Sequence, residues 1–235
     1  MCRLARNKSR FWAAAIVIGG ASLASGQIQT TTQDWREQPQ PNTHSGVPAQ
    51  VRSARDRFFD RLYGPQAGVF SNGPDAGSVL QEIPTTKTLT IAPIRFAGYS
   101  VVESASGNSV YTEVRVSVEQ VLQDPSGQAH AGQTATVILG GGSVTLASGE
   151  IVRRDLGQDM QCGLTPGHRY VAFLAYGGKD ADFFECVKTW ELKNGKVTPT
   201  YPFDVLNANS GISRFAGMAE PRFLDAVRKA LVAGN

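Results

Sequence analysis

Histidine and cysteine are scarce in this sequence, with only three of each among 235 residues. The histidines, His44, His130 and His168, do not have the spacing of His-x-His or His-Glu-x-x-His metal ligands. The Gly-x-x-x-x-Gly-Lys-Ser/Thr phosphate loop, the Gly-x-Gly-x-x-Gly fingerprint and the Gly-x-Ser-x-Gly nucleophile elbow are also missing. Gly140-Gly141-Gly142 follows a predicted strand, but no helix follows for a phosphate to sit on, so we interpret it as a turn. No motif therefore predicts a cofactor, a metal site or a catalytic residue.

An excess of one charge sign is missing from most of the chain. The formal charge is +3, but Arg3, Arg6, Lys8 and Arg10 supply four of the 23 basic residues, and no acidic residue precedes position 27. The rest of the chain therefore has a net charge of about −1. Because a nucleic-acid binder needs a basic surface on its working domain, we expect no nucleic-acid partner.

Long hydrophobic runs are absent as well. The longest begins at Phe11 and is interrupted by Gly19-Gly20, short of the roughly 20 residues that span a bilayer. A membrane anchor is therefore the less favoured interpretation, and we expect no transmembrane span in the mature chain. A basic start, a short apolar run and the small residues Ala24-Ser25-Gly26 are typical of a secretory signal peptide. We predict a signal peptide at 1–26, cleavage near Gly26, and a secreted or periplasmic protein.

Cleavage near Gly26 would remove Cys2 and leave two cysteines, Cys162 and Cys186. In an oxidising compartment each has only the other as a partner, which predicts one disulfide bond. Closing a loop of about 25 residues would stabilise the fold by roughly 3 kcal/mol. Two thiolates without a nearby histidine would make a poor zinc site, and their spacing is not that of a Cys-x-x-Cys redox pair.

The residues before the main domain divide into a leader, a helix and a linker. Residues 27–50 are rich in Gln, Thr and Pro with few aliphatic side chains, which predicts a flexible leader. The segment 51–82 is predicted to contain an amphipathic helix at about 51–63 and a Gly/Pro-rich linker. We expect the helix to dock on the main domain with its charged face in solvent, and a membrane-surface helix is the alternative. The predicted apolar face consists of Val51, Ala54, Phe58 and Leu62.

From residue 83 the hydrophobic period changes to two. Val114, Val116 and Val118 alternate with polar residues, which is typical of a half-buried strand. Pro93 predicts an interrupted or edge strand, and Asn194-Gly195 is typical of a two-residue hairpin turn. A final helix is predicted from Pro221, capping an open end of the sheet. We therefore predict a mainly β domain at 83–235, an antiparallel barrel with a C-terminal helix and an N-terminal flanking helix.

Three aromatic residues, Phe183, Phe184 and Trp190, are the candidates for a binding surface. Adjacent Phe183 and Phe184 must point to opposite faces of a strand, so one of them could be partly exposed. An exposed ring on a barrel face would stack on a sugar or on a partner side chain. Packing in the core is the alternative interpretation.

A hydrolase-type site is the alternative to a binding surface. It would use His168 and a nearby acid, Asp155 or Asp159. Because the sequence shows no nucleophile to accompany His168, no catalytic residue is assigned. A bound calcium ion is a further alternative at three carboxylates that lack a recognisable ligand pattern, Asp180, Asp182 and Glu185.

Four features occur in a fixed order along the main domain. They are the run VYTEVRVSVEQVL at 110–122, Gly132 with the strand to Ile138 and its glycine run, Leu164-x-x-Gly167-x-x-Tyr170-Val171-Ala172-Phe173-Leu174, and the terminal helix. From about 85 to 233 this order resembles the netrin-like domains, the fold of the tissue inhibitors of metalloproteinases. The resemblance implies a five-stranded OB-like barrel with flanking helices, often a non-catalytic binding module. The inhibitors ligate their target's zinc through an N-terminal cysteine, whereas the mature chain here is predicted to start at Gln27-Ile28-Gln29, which does not support inhibition by that mechanism.

We therefore expect an exported, non-catalytic β-barrel module that binds a protein or a glycan at the cell surface or in the periplasm. The small hydrolase near His168 is the first alternative. The second alternative is a structural or assembly subunit that docks through its N-terminal helix and leaves the apolar face of that helix uncovered.

Overall fold

The structure is a computed structural model that describes residues 38–41, 47–63, 83–84, 86–154, 162–200, 208–209, 211 and 213–233. All of these belong to one compact unit, Gln33–Asn235. The signal peptide predicted at 1–26, most of the leader and the linker after the first helix lie outside the described residues, as do His44, Asp155 and Asp159.

The described part of the chain is mainly β. Its elements in chain order are β1 (Gln40–Pro41), α1 (Ala49–Tyr63), β2 (Leu89–Glu103), β3 (Val110–Val118), β4 (Thr134–Gly140), β5 (Gly142–Thr145), β6 (Ile151–Arg154), β7 (Arg169–Tyr176), β8 (Phe184–Lys193), β9 (Lys196–Pro199) and α2 (Glu220–Ala233). Across the described residues, neither helix is long and apolar enough to cross a membrane.

The strands form two sheets. Six of them form one sheet in the order β4-β3-β2-β7-β8-β9, in which neighbours are antiparallel. β4 also pairs in parallel with β8, where Val137 lies opposite Phe184. This pairing joins β4, β3, β2, β7 and β8 into a partly ring-like sheet, which we call the ring. The smaller sheet has the order β1-β5-β6. The prediction of a mainly β, antiparallel fold with two flanking helices is confirmed at this level.

Of the two alternatives predicted at Pro93, the interrupted strand is wrong, because β2 continues through Pro93. β2 pairs with both β3 and β7, but Pro93 lies opposite Val171 of β7 just before the pairing with β3 begins at Ile94. The Pro93 carbonyl accepts a hydrogen bond from the Glu119 N–H, just after β3 ends. The missing N–H of Pro93 therefore faces an irregular segment rather than a regular strand, which is where a sheet tolerates proline. The hairpin predicted at Asn194-Gly195 joins β8 to β9, with φ of 54° and 72° at the two residues as a two-residue turn requires.

Two apolar clusters occupy the two faces of the large sheet. The first draws on all five strands of the ring, with Val114 and Ala172 among its members. The second lies on the opposite face, where Phe173 packs with Phe223 and Val227 of α2. α2 therefore covers the outer face of the sheet. The sequence had predicted instead that this helix would cap an open end of the barrel.

α1 lies on the sheet as expected, but through a different face. Arg55, Asp56 and Phe59 are buried, whereas Ala54 and Phe58 of the predicted apolar face are only partly buried. Phe59 stacks on Tyr111 of β3 with ring centroids 4.6 Å apart. The expectation that the charged residues all face solvent is therefore wrong, because two of them point into the interface with the sheet.

Candidate functional site

The three predicted binding aromatics are all buried, each in a different apolar cluster. Phe184 packs inside the ring, and Trp190 packs on the opposite face against Phe223 of α2, 5.2 Å between ring centroids. Phe183 packs under α1. The two adjacent phenylalanines do point to opposite faces, but both faces are covered, so the expected exposed ring is not present at these positions.

His168 contacts a carboxylate, although not one of those predicted. Its Nδ1 lies 2.6 Å from Oε1 of Glu191, and its side chain is 40% exposed. Asp155 and Asp159 lie outside the described residues. The antiparallel pairing of β7 with β8 places Tyr170 opposite Glu191, and this brings His168 next to an acid 23 residues further along the chain. Among the described residues, Glu191 is the only side-chain hydrogen-bond partner of His168.

A second set of charges lies at the start of β7. Arg169 forms hydrogen bonds with Glu119, after β3, and with Glu220, at the start of α2. Hydrogen bonds to Glu119 raise the pKa of Arg169, and the same hydrogen bonds lower the pKa of Glu119. Both groups therefore stay ionised over a wide pH range, and the network holds the first turn of α2 against the sheet.

The disulfide predicted between Cys162 and Cys186 is present, with 6.1 Å between the Cα atoms. It ties the segment before β7 to β8, and both residues belong to or pack against the cluster inside the ring. Over the residues that the structure describes, no three side chains of His, Cys, Asp or Glu come together as metal ligands.

A groove of about 710 Å³ lies between α1 and the loop 177–182 that joins β7 to β8. We call it the α1 groove. Apolar atoms come from Ala54 and Phe58 of α1 and from Ala181 of the loop, while Gly177 and Gly178 contribute backbone. Its volume lies within the range of ligand-binding clefts. Asp180, one of the three carboxylates considered for calcium, lines this groove, whereas Phe183, Phe184, Trp190 and His168 do not.

Arg55 holds the two walls of the groove together. Its side chain is buried, and Nε donates a hydrogen bond of 2.7 Å to the carbonyl of Ala181 in the loop. Nη2 donates to the carbonyl of Asp182, a non-glycine residue with a left-handed φ of 47°. Nη1 forms a 2.7 Å ion pair with Glu113 of β3, itself largely buried. One guanidinium therefore fixes the helix to both the loop and the sheet.

Two acidic residues of α1 complete this contact. Asp56 is buried and accepts a 2.7 Å hydrogen bond from the Tyr111 hydroxyl. Burial, together with the donation to Asp56, raises the pKa of Tyr111, so the hydroxyl keeps its proton and remains a donor. Partial burial raises the pKa of Asp60, but hydrogen bonds from three serine hydroxyls outweigh this and hold it below 3.8. Those serines are Ser104, Ser106 and Ser109, at and beside the turn between β2 and β3.

Phe183 lies directly beneath the loop wall of the groove. Its ring packs 5.0 Å from that of Phe58 and close to that of Phe59. A Cβ on Gly177 would lie 2.5 Å from the Phe183 ring, which is closer than any real contact. The loop can therefore cross over the ring only because residue 177 has no side chain.

Among the described residues that line the groove, three are cationic and two are acidic, an excess of one positive charge. Arg57 and Arg61 lie one helical turn apart on the α1 side, and Lys179 lies on the loop side, all of them exposed. Among the described residues, the acidic side chains that line the groove are Asp60, whose oxygens already accept hydrogen bonds from the serine hydroxyls, and Asp180. The arrangement can attract an anionic group while Phe58 offers an apolar surface beside it.

Sequence reasoning missed this site because it considered α1 for docking on the main domain, on a membrane surface or on another subunit, and not as the wall of a ligand site. The spacing of Arg55, Asp56 and Phe59 matches one helical face and was the available signal. Two charged residues on that face argued against its burial, since charges are buried only when they are paired. The sequence matches no model of a known protein family, and it has no significant match among curated proteins.

Proposed function

We propose that this protein is an exported, non-catalytic β-barrel module that binds a protein or a glycan at the cell surface or in the periplasm, with the α1 groove as its ligand site. The α1 groove is the observation that carries the proposal. It is a cleft of ligand-binding size whose two walls are held in place by the buried Arg55. Such preformed clefts, partly apolar with a few directed polar groups, are the usual sites of ligand binding.

The fold class that we propose is an OB-like barrel related to the netrin-like domains. The partly ring-like arrangement of β2, β3, β4, β7 and β8 supports it, since an OB-fold is a partly open, five-stranded barrel. The flanking helices α1 and α2 are in keeping with the same resemblance. OB-folds bind ligands on a strand face and on connecting loops, which accords with a binding role.

Export is supported by two observations. The N-terminal sequence has the order of a secretory signal, and the Cys162–Cys186 disulfide belongs in an oxidising compartment. Expressing the full chain with a C-terminal tag and determining the N-terminus of the exported protein tests this directly. We expect a protein in the periplasm or medium that begins near Gln27, and an uncleaved protein retained in the cell would contradict it.

Binding at the groove is tested by a chemical-shift titration of the isotope-labelled protein against a panel of oligosaccharides and a panel of short peptides. We expect at least one probe to shift the amide signals of α1 and of 177–182. Ala54→Trp would fill the groove and abolish that response. Ala131→Trp, at an exposed position in the turn between β3 and β4, is the matched control and should leave it intact. Shifts confined to other surfaces would contradict the proposed site.

A hydrolase centred on His168 is the second candidate, and the contact with Glu191 is the observation that favours it. A carboxylate at Nδ1 orients a histidine so that Nε2 can act as a general base. Assays with chromogenic ester and glycoside substrates test this candidate. A rate that disappears in His168→Ala and falls in Glu191→Gln would establish it, and equal rates in all three proteins would exclude it for those substrates.

A further inference from the structure

We propose that the ligand of the α1 groove is an acidic segment of a partner protein, which places carboxylates against Arg57, Arg61 and Lys179 and an apolar side chain on Phe58. The inference rests on the proposed function and names the chemical class of its ligand.

The charge of the groove favours an anionic ligand. Arg57 and Arg61 project from successive turns of α1, and Lys179 lies on the opposite wall. Asp60 and Asp180 also line the groove, which leaves an excess of one positive charge, and the Asp60 oxygens already accept hydrogen bonds from three serine hydroxyls. A guanidinium binds a carboxylate with two parallel hydrogen bonds, so two arginines one turn apart suit a chain with acidic residues at short intervals.

The arginines are also partly ordered before a ligand arrives. Nη1 of Arg57 donates to the Ser53 hydroxyl at 2.7 Å, and Nε of Arg61 donates to the carbonyl of Arg57 at 3.2 Å. Each arginine keeps further N–H groups for a ligand, because a guanidinium has five donors. Because these side chains are already partly fixed, binding loses less of their conformational entropy.

The lining of the groove favours a peptide over an acidic glycan. Among the described residues that line it, the uncharged side chains are those of Ala54, Phe58 and Ala181, and none carries a hydroxyl or an amide. A glycan presents hydroxyls along its whole length, and hydroxyls placed against Ala54, Phe58 and Ala181 would find no side-chain hydrogen-bond partner there. A peptide can place an aliphatic or aromatic side chain on Phe58 and carboxylates at the rim, which matches what the groove offers.

The test uses the full mature chain and fluorescence anisotropy with labelled probes. The probes are the peptide Glu-Leu-Glu-Leu-Glu, its counterpart Gln-Leu-Gln-Leu-Gln, and an oligogalacturonate of matched charge. We expect the Glu peptide to bind, and its affinity to fall at least about tenfold from about 20 mM to about 300 mM salt, because screening weakens contacts between exposed charges. The Gln peptide should bind at least about tenfold more weakly.

Variants identify the residues responsible. Arg57→Gln with Arg61→Gln should weaken binding of the Glu peptide at least about tenfold, since both arginine–carboxylate contacts are lost. Arg228→Gln is the matched control, an exposed helical arginine that pairs with Asp225 of α2 and does not line the groove. Circular dichroism and thermal unfolding check that each variant is folded.

Equal binding of the Glu and Gln peptides, or no effect of the double variant, would overturn the inference. Tighter binding of the oligogalacturonate would overturn the choice of a protein segment and leave the groove as a glycan site. If none of the three probes binds, the inference fails, and the chemical-shift titration decides separately whether the proposed function fails with it.

Discussion

Replacing Arg55 with methionine should release α1 from the sheet. The variant keeps an unbranched apolar stem but removes the guanidinium, which bonds to Glu113, Ala181 and Asp182. Glu113 is only 8% exposed, so it would remain as a buried carboxylate without its cation. Breaking a buried ion pair by removing one partner costs about 3 to 5 kcal/mol.

This cost predicts one result if the whole domain unfolds together and another if α1 opens by itself. If the whole domain unfolds in one step, the melting temperature should fall by about 6 to 20 °C, since 1 kcal/mol corresponds to about 2 to 4 °C in a chain of this size. If α1 opens by itself, amide hydrogens of α1 and of 177–182 should exchange roughly 100- to 3,000-fold faster, while those of the ring strands stay protected. Hydrogen exchange followed by mass spectrometry distinguishes the two cases.

A second variant separates the ion pair from packing. Arg55→Met combined with Glu113→Leu removes both charges of the ion pair, so Glu113 no longer remains as a buried carboxylate without its cation. The double variant should therefore be destabilised by at least about 1 kcal/mol less than the sum of the two single effects. A melting temperature and an exchange pattern of Arg55→Met that both match the parent protein would refute the reasoning. Arg55 would then contribute nothing to holding the walls of the α1 groove.

Three further predictions concern stability. Burial raises the pKa of Asp60 and of Asp124, but hydrogen bonds to each carboxylate outweigh it and leave both below 3.8, so the stability they contribute is present above about pH 4 and is lost as the pH falls through the folded values. Urea unfolding at about pH 6 and about pH 3 measures this loss of stability. The double variant Asp60→Asn with Asp124→Asn should lose less stability on acidification than the parent protein, and an equal loss would contradict the role given to these two carboxylates. Gly177→Ala should destabilise the protein by about 1 to 3 kcal/mol, because its Cβ would meet the Phe183 ring. Gly98→Ala is the control, because neither glycine has a left-handed φ and the Cβ added at residue 98 would meet only the flexible end of the Arg115 side chain. Cys162→Ser should lower the free energy of unfolding by about 3 kcal/mol, an effect that a reducing agent reproduces in the parent protein and that should be absent when the same agent is added to the variant.

Much of the fold could be predicted from local pattern. The alternation of Val114, Val116 and Val118 predicted β3, and Asn194-Gly195 predicted the hairpin between β8 and β9, because strand period and turn geometry depend on neighbouring residues. The disulfide followed from counting, because the predicted cleavage near Gly26 would remove Cys2 and leave two cysteines with one possible pairing. Pro93 misled the prediction because its effect depends on what lies beside it, and an irregular segment there does not need its N–H.

The candidate site depended on contacts between distant parts of the chain. A helix with the sequence of α1 can present more than one face, and the face with Arg55 and Asp56 is buried only because Glu113, Tyr111 and two loop carbonyls supply partners for their charges. Phe183 likewise is buried because α1 packs against it through Phe58. By itself the sequence determined β3, the turn between β8 and β9 and the disulfide, all of which follow from neighbouring residues or from counting. Only the tertiary structure decided which charges are buried and where a groove opens, because the cost of burying a charge depends on the partner that meets it.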